Sequence, residues 1–369
     1  MAIEAPILNR IGRSKTLVFC PIGLGNFVMV SPALRLLSEE IGAENLHILA
    51  LKSGIKEMAA ASGLFGKVHF WNPDAGSTAA GFSVIARLRM EKYENSISLF
   101  PTGDWRFALV SFLVHAKNRI GFRYPNSRIP ERVQTYSMDL DYGAHDTDQN
   151  CALIENVFSL KPQTARQPFF PFSEPEKVQE SNLYYVCHPG SSAERGMSEK
   201  RLPPDRFADI INRIGEEFGL KCRLLGGPEE AGLRGVIKDL AGKWVVDEPA
   251  YSFTELALAI GNSQFYLGND SGLMHIAAAK GKRCIAIFGP TDDKRNGPYS
   301  GKGEPKHLII RNDELSCSPC WTIRTIGANP PCIHGDTRCL RMIDIDAVWS
   351  KIKPFIDTAM SGTAIDTAK

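Results

Sequence analysis

The sequence predicts an α/β protein of two doubly wound domains, each a parallel sheet with helices on both faces. Three observations predict it. Short continuous apolar runs alternate with amphipathic stretches of helical period, as buried parallel strands and their crossover helices require. The segment KPQTARQPFFPFSEPE at 161–176 holds four prolines in sixteen residues, which excludes helix and central strand there and marks a linker. The chain has 369 residues, too many for one ordinary core and suited to two domains of roughly 150–180 residues. We therefore expect a first domain over 1–165, a second over 166–343, and a C-terminal helix and tail over 344–369.

Each element follows in order. Thr16–Cys20 is the first buried strand. The loop PIGLGN (21–26) leads into a helix from about 27 to Ile41, which Gly42 closes. Strands follow at Leu46–Ala50, Lys67–Trp71 and Ile97–Phe100, with a helix near Trp105–Ala116. After the linker the rhythm restarts, with strands at Leu183–Cys187, Cys222–Leu225, Phe265–Leu267 and Cys284–Phe288. Helices fall at Asp205–Phe218, Glu230–Leu240, Phe253–Ile260 and Leu273–Ala279. A last amphipathic helix spans about 344–358. Two such domains facing each other leave a cleft at the carboxyl ends of their strands, where such sheets bind ligands.

Composition narrows the function. Hydrophobic residues make up 43% and charged residues 23%, with 32 Gly and 23 Pro, which excludes disordered, collagen-like and repeat chains. The net charge is only +2, which argues against a nucleic-acid partner bound through a globally basic surface. No apolar run is long enough to span a membrane. The start, MAIEAPILNRIGRSK, lacks the apolar core of a signal peptide. The expected location is cytoplasmic, with peripheral contact at the inner membrane surface left open.

Four loops carry chemistry. In NDSGLMHIAAA (269–279) a strand runs through a small polar turn into an Ala-rich helix. The free N–H groups at that helix start make an anion site. Ser271 and Gly272 let a diphosphate approach the backbone, and His275 lies one turn in. The plainer reading is that Asp270 caps the helix and His275 packs. In HPGSS (188–192), Gly190 and Ser191 offer backbone and hydroxyl donors, and Lys200 or Arg201 could hold a diphosphate; the alternative is a solvated surface loop. In GLGN (23–26), Gly25 and Asn26 belong to half of a GxGxxG pattern, with Val28 where the last Gly would stand. In LLGGPEE (224–230) two carboxylates open a helix, favourable for its dipole alone, and a Glu there could accept ribose hydroxyls.

Together these loops resemble glycosyltransferase family 9, the ADP-heptose:lipopolysaccharide heptosyltransferases. The resemblance runs from Gly23 to about Cys339 through GLGNFVMVSPALRLL, HPGSS…EKRLPPDRFADI, LLGGPEE and NDSGLMHIAAAKGKRCIAIFGPTD. It implies a GT-B fold with the acceptor domain first, an ADP-sugar donor as substrate, and inversion without a catalytic cofactor. By position, Lys200 matches the lysine on the donor phosphates. Asp270, Ser271, Gly272 and His275 match the diphosphate loop, Glu230 the ribose acid, and Tyr251–Phe253 the adenine loop. One position departs. Many members carry an acid, the presumed general base, where this chain has Asn26. An amide cannot take a proton, so the candidate base becomes Asp104; the alternative is that Asp104 caps the next helix.

Nine cysteines, an odd number, argue against a disulfide framework. Cys20, Cys187, Cys222 and Cys284 lie in or beside strand-like runs and should pack as small hydrophobes. Cys317, Cys320, Cys332 and Cys339 fall within 23 residues. They can form a structural thiolate site for zinc or iron, or remain four free thiols. Residues 105–132 carry six Arg or Lys against Glu131, with Phe107, Phe112, Phe122 and Tyr124 interleaved. The resemblance makes this stretch a docking surface for an acidic glycolipid or saccharide acceptor, such as the lipopolysaccharide inner core; the interleaving also suits single-stranded nucleic acid, and the plainer reading for each residue is a solvated face with core aromatics. Two rival functions are a nucleotide-sugar epimerase of the same fold and a non-catalytic nucleotide-sugar-binding partner, which Asn26 would favour.

Overall fold

The computed structural model describes residues 13–20, 23–74, 78–102, 105–124, 133–163, 166–173, 183–192, 194–247, 252–301, 306–322, 325 and 330–363. It divides into two compact units, Met1–Pro171 and Phe172–Lys369. The division falls inside the proline-rich segment.

The first unit runs β1 (Thr16–Phe19), α1 (Leu24–Ile41), β2 (Leu46–Ala50), α2 (Ser53–Ala61), β3 (Lys67–Phe70), α3 (Thr78–Met90), β4 (Asn95–Ser98), α4 (Trp105–Leu113), β5 (Asn118–Arg123), β6 (Tyr136–Asp139) and α5 (Asp146–Val157). Its sheet is ordered β3-β2-β1-β4-β5-β6. All pairs are parallel, with Val18 level with Ile48 on one side and Ile97 on the other. Helices cover it, so β1 is buried throughout, which is why it reads as an unbroken apolar run.

The second unit runs β7 (Tyr184–His188), α6 (Pro204–Phe218), β8 (Lys221–Leu224), α7 (Ala231–Ala241), β9 (Val245–Asp247), α8 (Phe253–Gly261), β10 (Tyr266–Asn269), α9 (Gly272–Ala279), β11 (Cys284–Ile287), α10 (Asp293–Asn296), β12 (Leu308–Ile310), α11 (Arg338–Arg341) and α12 (Ile345–Thr363). Its order, β12-β11-β10-β7-β8-β9, is the same topology read from the other edge. Each sheet therefore has one point where the winding reverses: between β1 and β4, and between β7 and β10. Open α/β sheets bind ligands beyond the strand carboxyl ends at such points. The core of this unit gathers Tyr185, Phe207, Ile211, Ile285 and Leu340, and α12 closes it with Val348, Ile352 and Ile356.

Two local findings refine the sequence reading. Helix α1 begins at Leu24, so Gly25 and Asn26 lie in its first turn rather than in a loop. Pro32 sits inside that helix and has no N–H for the Val28 carbonyl; the Ser31 hydroxyl donates to it instead, at 2.7 Å. Among the described residues, no helix is long and apolar enough to cross a membrane.

A buried polar network joins β2, β3 and the approach to β4. The Tyr93 hydroxyl sits 2.8 Å from His47 Nδ1 and 2.9 Å from His69 Nε2. Burial, and then the neighbouring His47, push His69 down to about 4, and burial likewise lowers His47. Between about pH 4 and pH 6.5 the unfolded chain therefore binds protons that the native chain does not, and stability falls as pH drops through that window. Thermal melts are expected to show this loss, and His69→Gln to flatten it.

Candidate active site

The reversal point between β7 and β10 fixes where the second unit's polar side chains meet. His188 ends β7, and Asn269 ends β10. Ser271 is the N-cap of α9 and makes no side-chain cap bond. Its hydroxyl turns instead to His188 Nδ1 at 2.9 Å and to the Tyr266 hydroxyl at 3.2 Å. The first N–H groups of α9 thus stay uncapped by this side chain, as an anion-accepting helix start requires.

The other imidazole nitrogen of His188, Nε2, lies 3.0 Å from Glu230 Oε2. That oxygen also accepts from the Gly227 backbone N–H at 3.0 Å, and Oε1 faces the Arg201 guanidinium at 3.9 Å. Burial alone would raise the Glu230 carboxyl. The His188 bond and charge, the Gly227 N–H and Arg201 together hold it below its ordinary value. Two glycines make room. A Cβ at Gly190 would overlap Glu230 Oε1, and one at Gly226, at φ +154°, would crowd Oε2.

Lys200 reaches Asp270 across 70 residues of sequence, with Nζ 2.9 Å from Oδ2. The Asn296 amide donates to Oδ1 at 3.0 Å. Asp270 is buried and Lys200 mostly so. Burial pushes the Asp270 carboxyl up, but the charges of Lys200 and His275 and the bonds from Lys200 and Thr291 outweigh it and hold it below its ordinary value. Ser191 is fixed from two sides: its hydroxyl donates to the Met197 carbonyl at 2.8 Å and accepts from Arg201 Nε at 3.2 Å. Asn269 bridges the Pro189 carbonyl and the Leu202 N–H, so the loop after β7 is tied to β10.

Ser191, Lys200, Glu230, Asp270 and Ser271 therefore lie on the segments after β7, β8 and β10, and Gly272 and His275 in the first turn of α9. His188, Asn296 and Tyr266 join them without having been singled out in the sequence. Only the position of His188 at a strand's carboxyl end could have flagged it. Gly25 and Asn26 lie in the first unit, at the start of α1, after β1 at that sheet's own reversal point. Asp104 and Tyr251 lie outside the described residues.

Residues 82–327 match the model of glycosyltransferase family 9 (heptosyltransferase), two-thirds of the chain. The chain belongs to glycosyltransferase family 9. It is 25% identical over 251 residues to lipopolysaccharide heptosyltransferase 2 of Escherichia coli K12, covering 60% of this chain and 67% of that one. Its fold is similar to that of the E. coli ADP-heptose lps heptosyltransferase II structure (TM-score 0.67, 18% identity, covering 93% of this chain and 99% of that chain). It is also similar to a glycosyl transferase family 9 structure from Veillonella parvula (TM-score 0.72, 17% identity, 94% and 98%). As a family 9 member the chain is a glycosyltransferase, and its two-sheet architecture is the GT-B type expected.

The cysteines divide as the sequence suggests. Cys20, Cys151, Cys187, Cys222 and Cys284 are buried free thiols. Cys317, Cys320, Cys332 and Cys339 lie close enough to act on one another: burial, then the charges of the other three, push Cys339 up to about 11. Burial would also raise Cys332, but backbone N–H groups of residues 334–337 hold it below the usual thiol value. That favours a thiolate, the form that ligates metal. The sulfurs stand further apart than a closed site would place them. Among the described residues, the one group of three His, Cys, Asp or Glu whose donor atoms lie within 4.8 Å of one another is His47, His69 and Glu91. There the Glu91 oxygens already face the ammonium groups of Lys15 and Lys67, so a divalent cation would meet two like charges.

The basic stretch is only partly a free cationic surface. Phe122 and Tyr124 are core residues. Arg119 is held by the Ala116 and Val133 carbonyls, Lys117 pairs with Glu94, and Arg123 with Asp139. Residues 125–132 lie outside the described residues.

Proposed function

We propose that this glycosyltransferase moves a heptose from ADP-heptose to a hydroxyl of a saccharide or glycolipid acceptor such as the lipopolysaccharide inner core. The observation that carries the reading is the largely buried Lys200–Asp270 pair beside the start of α9, which carries no side-chain cap. An ammonium and a row of backbone N–H groups converge at one sheet's reversal point, which suits a diphosphate leaving group. Lys200 and the α9 start would take the charge that develops on the ADP oxygens. Glu230 Oε1 is the carboxylate oxygen offered to ribose, with Oε2 occupied by His188 and Gly227. The names of the heptosyltransferase relatives support the sugar and the acceptor class. Asp104 is the proposed general base, since Asn26 cannot accept the acceptor's proton.

A thermal-shift titration with ADP, UDP, GDP and dTDP tests the donor class. Ligand that binds only the folded state raises Tm by mass action, about 2.7 kcal/mol of stabilisation at a hundredfold excess over Kd. A rise selective for ADP is expected, and equal silence for all four would overturn the diphosphate assignment.

We further propose that Cys317, Cys320, Cys332 and Cys339 hold one structural zinc or iron ion, whose role is to close the segment between β12 and α11. Such thiolates bind metal with folding energy rather than catalysis. Metal analysis of the purified chain is expected to find that ion, and its loss on replacing Cys332 by Ser.

A further inference from the structure

Helix α4 is apolar on the side that should face water. Its inner residues Phe107 and Val110 pack on the core cluster built around Leu17 and Phe19. Trp105, Leu109 and Phe112 repeat at i, i+4 and i+7, so they form a stripe along one side of the helix. All three are exposed, at 54%, 40% and 54%. The neighbouring α3 packs against α4 and adds Phe82 and Met90, exposed at 68% and 80%. Single exposed apolar residues mean little, but these are not single. Five of the seven large apolar side chains exposed among the first unit's described residues lie on these two helices. A helix that is apolar all round is ordinarily buried.

Cations flank the stripe. Residues 105–123 contain Arg106, Lys117, Arg119 and Arg123 and no acid; Lys117 pairs with Glu94 and Arg123 with Asp139, while the Arg119 guanidinium donates to backbone carbonyls. The Arg119 guanidinium lies over the Phe112 ring, 5.8 Å from its centroid. Arg89, at the end of α3, reaches the His115 ring just past α4 at 3.4 Å, which places its charge at the same end as Phe112. Bulky Trp, Phe and Leu on one side with Arg and Lys at the flank is the pattern of a helix lying in a membrane interface. There the apolar side chains enter the acyl boundary and the cations meet anionic headgroups.

We infer that the outer face of α4, with the adjoining residues of α3, docks this protein on an anionic phospholipid surface. The charge pattern favours this occupant over a second copy of the chain. A two-fold contact would set the same cationic flank against itself. It also favours a bilayer over a soluble acidic ligand, which would leave Trp105, Leu109 and Phe112 in water. The inference is independent of the donor assignment, because no residue of the second unit takes part.

The test uses the full chain and sedimentation with vesicles of phosphatidylglycerol and phosphatidylethanolamine, against vesicles of phosphatidylcholine alone. Binding is expected to the anionic vesicles at least tenfold above the zwitterionic ones, and to weaken in high salt. Leu109→Glu/Phe112→Glu is expected to lose it by tenfold or more while keeping the parent's Tm, since both side chains already face solvent. Arg89→Gln/Lys117→Gln should weaken it without touching the apolar stripe, which keeps the idea testable should the first variant misfold. Binding that survives both variants, or no binding by the parent chain, would overturn the inference. So would a dimer in sedimentation velocity that Leu109→Glu dissociates, since the face would then belong to a second copy.

Discussion

Replacing Lys200 by Met is expected to abolish the ADP-induced rise in Tm and to lower kcat/KM by about 10²–10³-fold, the usual cost of removing one donor from a charge-stabilising site. The same change should destabilise the protein. Asp270 is buried, and without Nζ at 2.9 Å its charge loses its closest cation, while the Asn296 amide still donates to Oδ1. Breaking a buried pair from one side costs about 3–5 kcal/mol. Two effects would then be mixed, and a second substitution separates them. Asp270→Asn in the Lys200→Met background removes the stranded charge, keeps an acceptor for Asn296 and should recover most of the lost stability. It should not recover the response to ADP, because the ammonium is still missing. Urea melts report the first quantity and the nucleotide titration the second. A single variant that keeps both the parent's stability and its ADP response would remove Lys200 from the site.

How far the sequence could be read follows from what surrounds each element. β1, β7 and β10 are buried on both faces, so their apolar runs show directly in the residues. The edge strand β6 is half-exposed and polar, Tyr-Ser-Met-Asp, and carries no such run. α3 escapes for a different reason: Phe82 and Met90 point outward, which erases the contrast between its faces. α5 inverts the pattern, because Asp146, Gln149, Asn150 and Glu155 are buried. The Asn150 amide accepts from the Phe100 N–H and donates to the Phe100 carbonyl, a bond that hydropathy cannot see.

The site shows the same limit. Its loops were legible because glycine and small polar residues follow each strand. The bonds between them were not, since Lys200 meets Asp270, and His188 meets both Ser271 and Glu230, only once the sheet order brings β7 beside β10. The first loop was misread locally. Gly25 and Asn26 sit inside α1, because a helix can begin directly on an N-cap glycine such as Gly23.

Gly190→Ala is expected to destabilise the protein measurably, although it adds one methyl group. Gly190 lies outside the positive-φ region, so an alanine is compatible with the backbone there. The obstacle is Glu230: the new Cβ would overlap its Oε1 and Cδ. The carboxylate has little freedom to retreat, because Oε2 is held by both His188 and the Gly227 N–H. Overpacking of this kind costs about 1–3 kcal/mol, with the bonds of His188 to Glu230 and Ser271 strained together. Glu230→Ala should be costly by itself, since it leaves the buried His188 Nε2 and the Gly227 N–H without their acceptor. In the double variant the clash has no second party. The two losses should therefore fall short of adding, with a coupling of about 1–3 kcal/mol in a double-mutant cycle. Additive losses would mean that Gly190 serves the loop's own conformation and not the carboxylate behind it. The double variant should fold yet respond weakly to ADP, because the acid proposed to hold ribose is gone. Stability and binding would then part company at one pair of atoms, which identifies the glycine as the space that lets Glu230 stand inside the site.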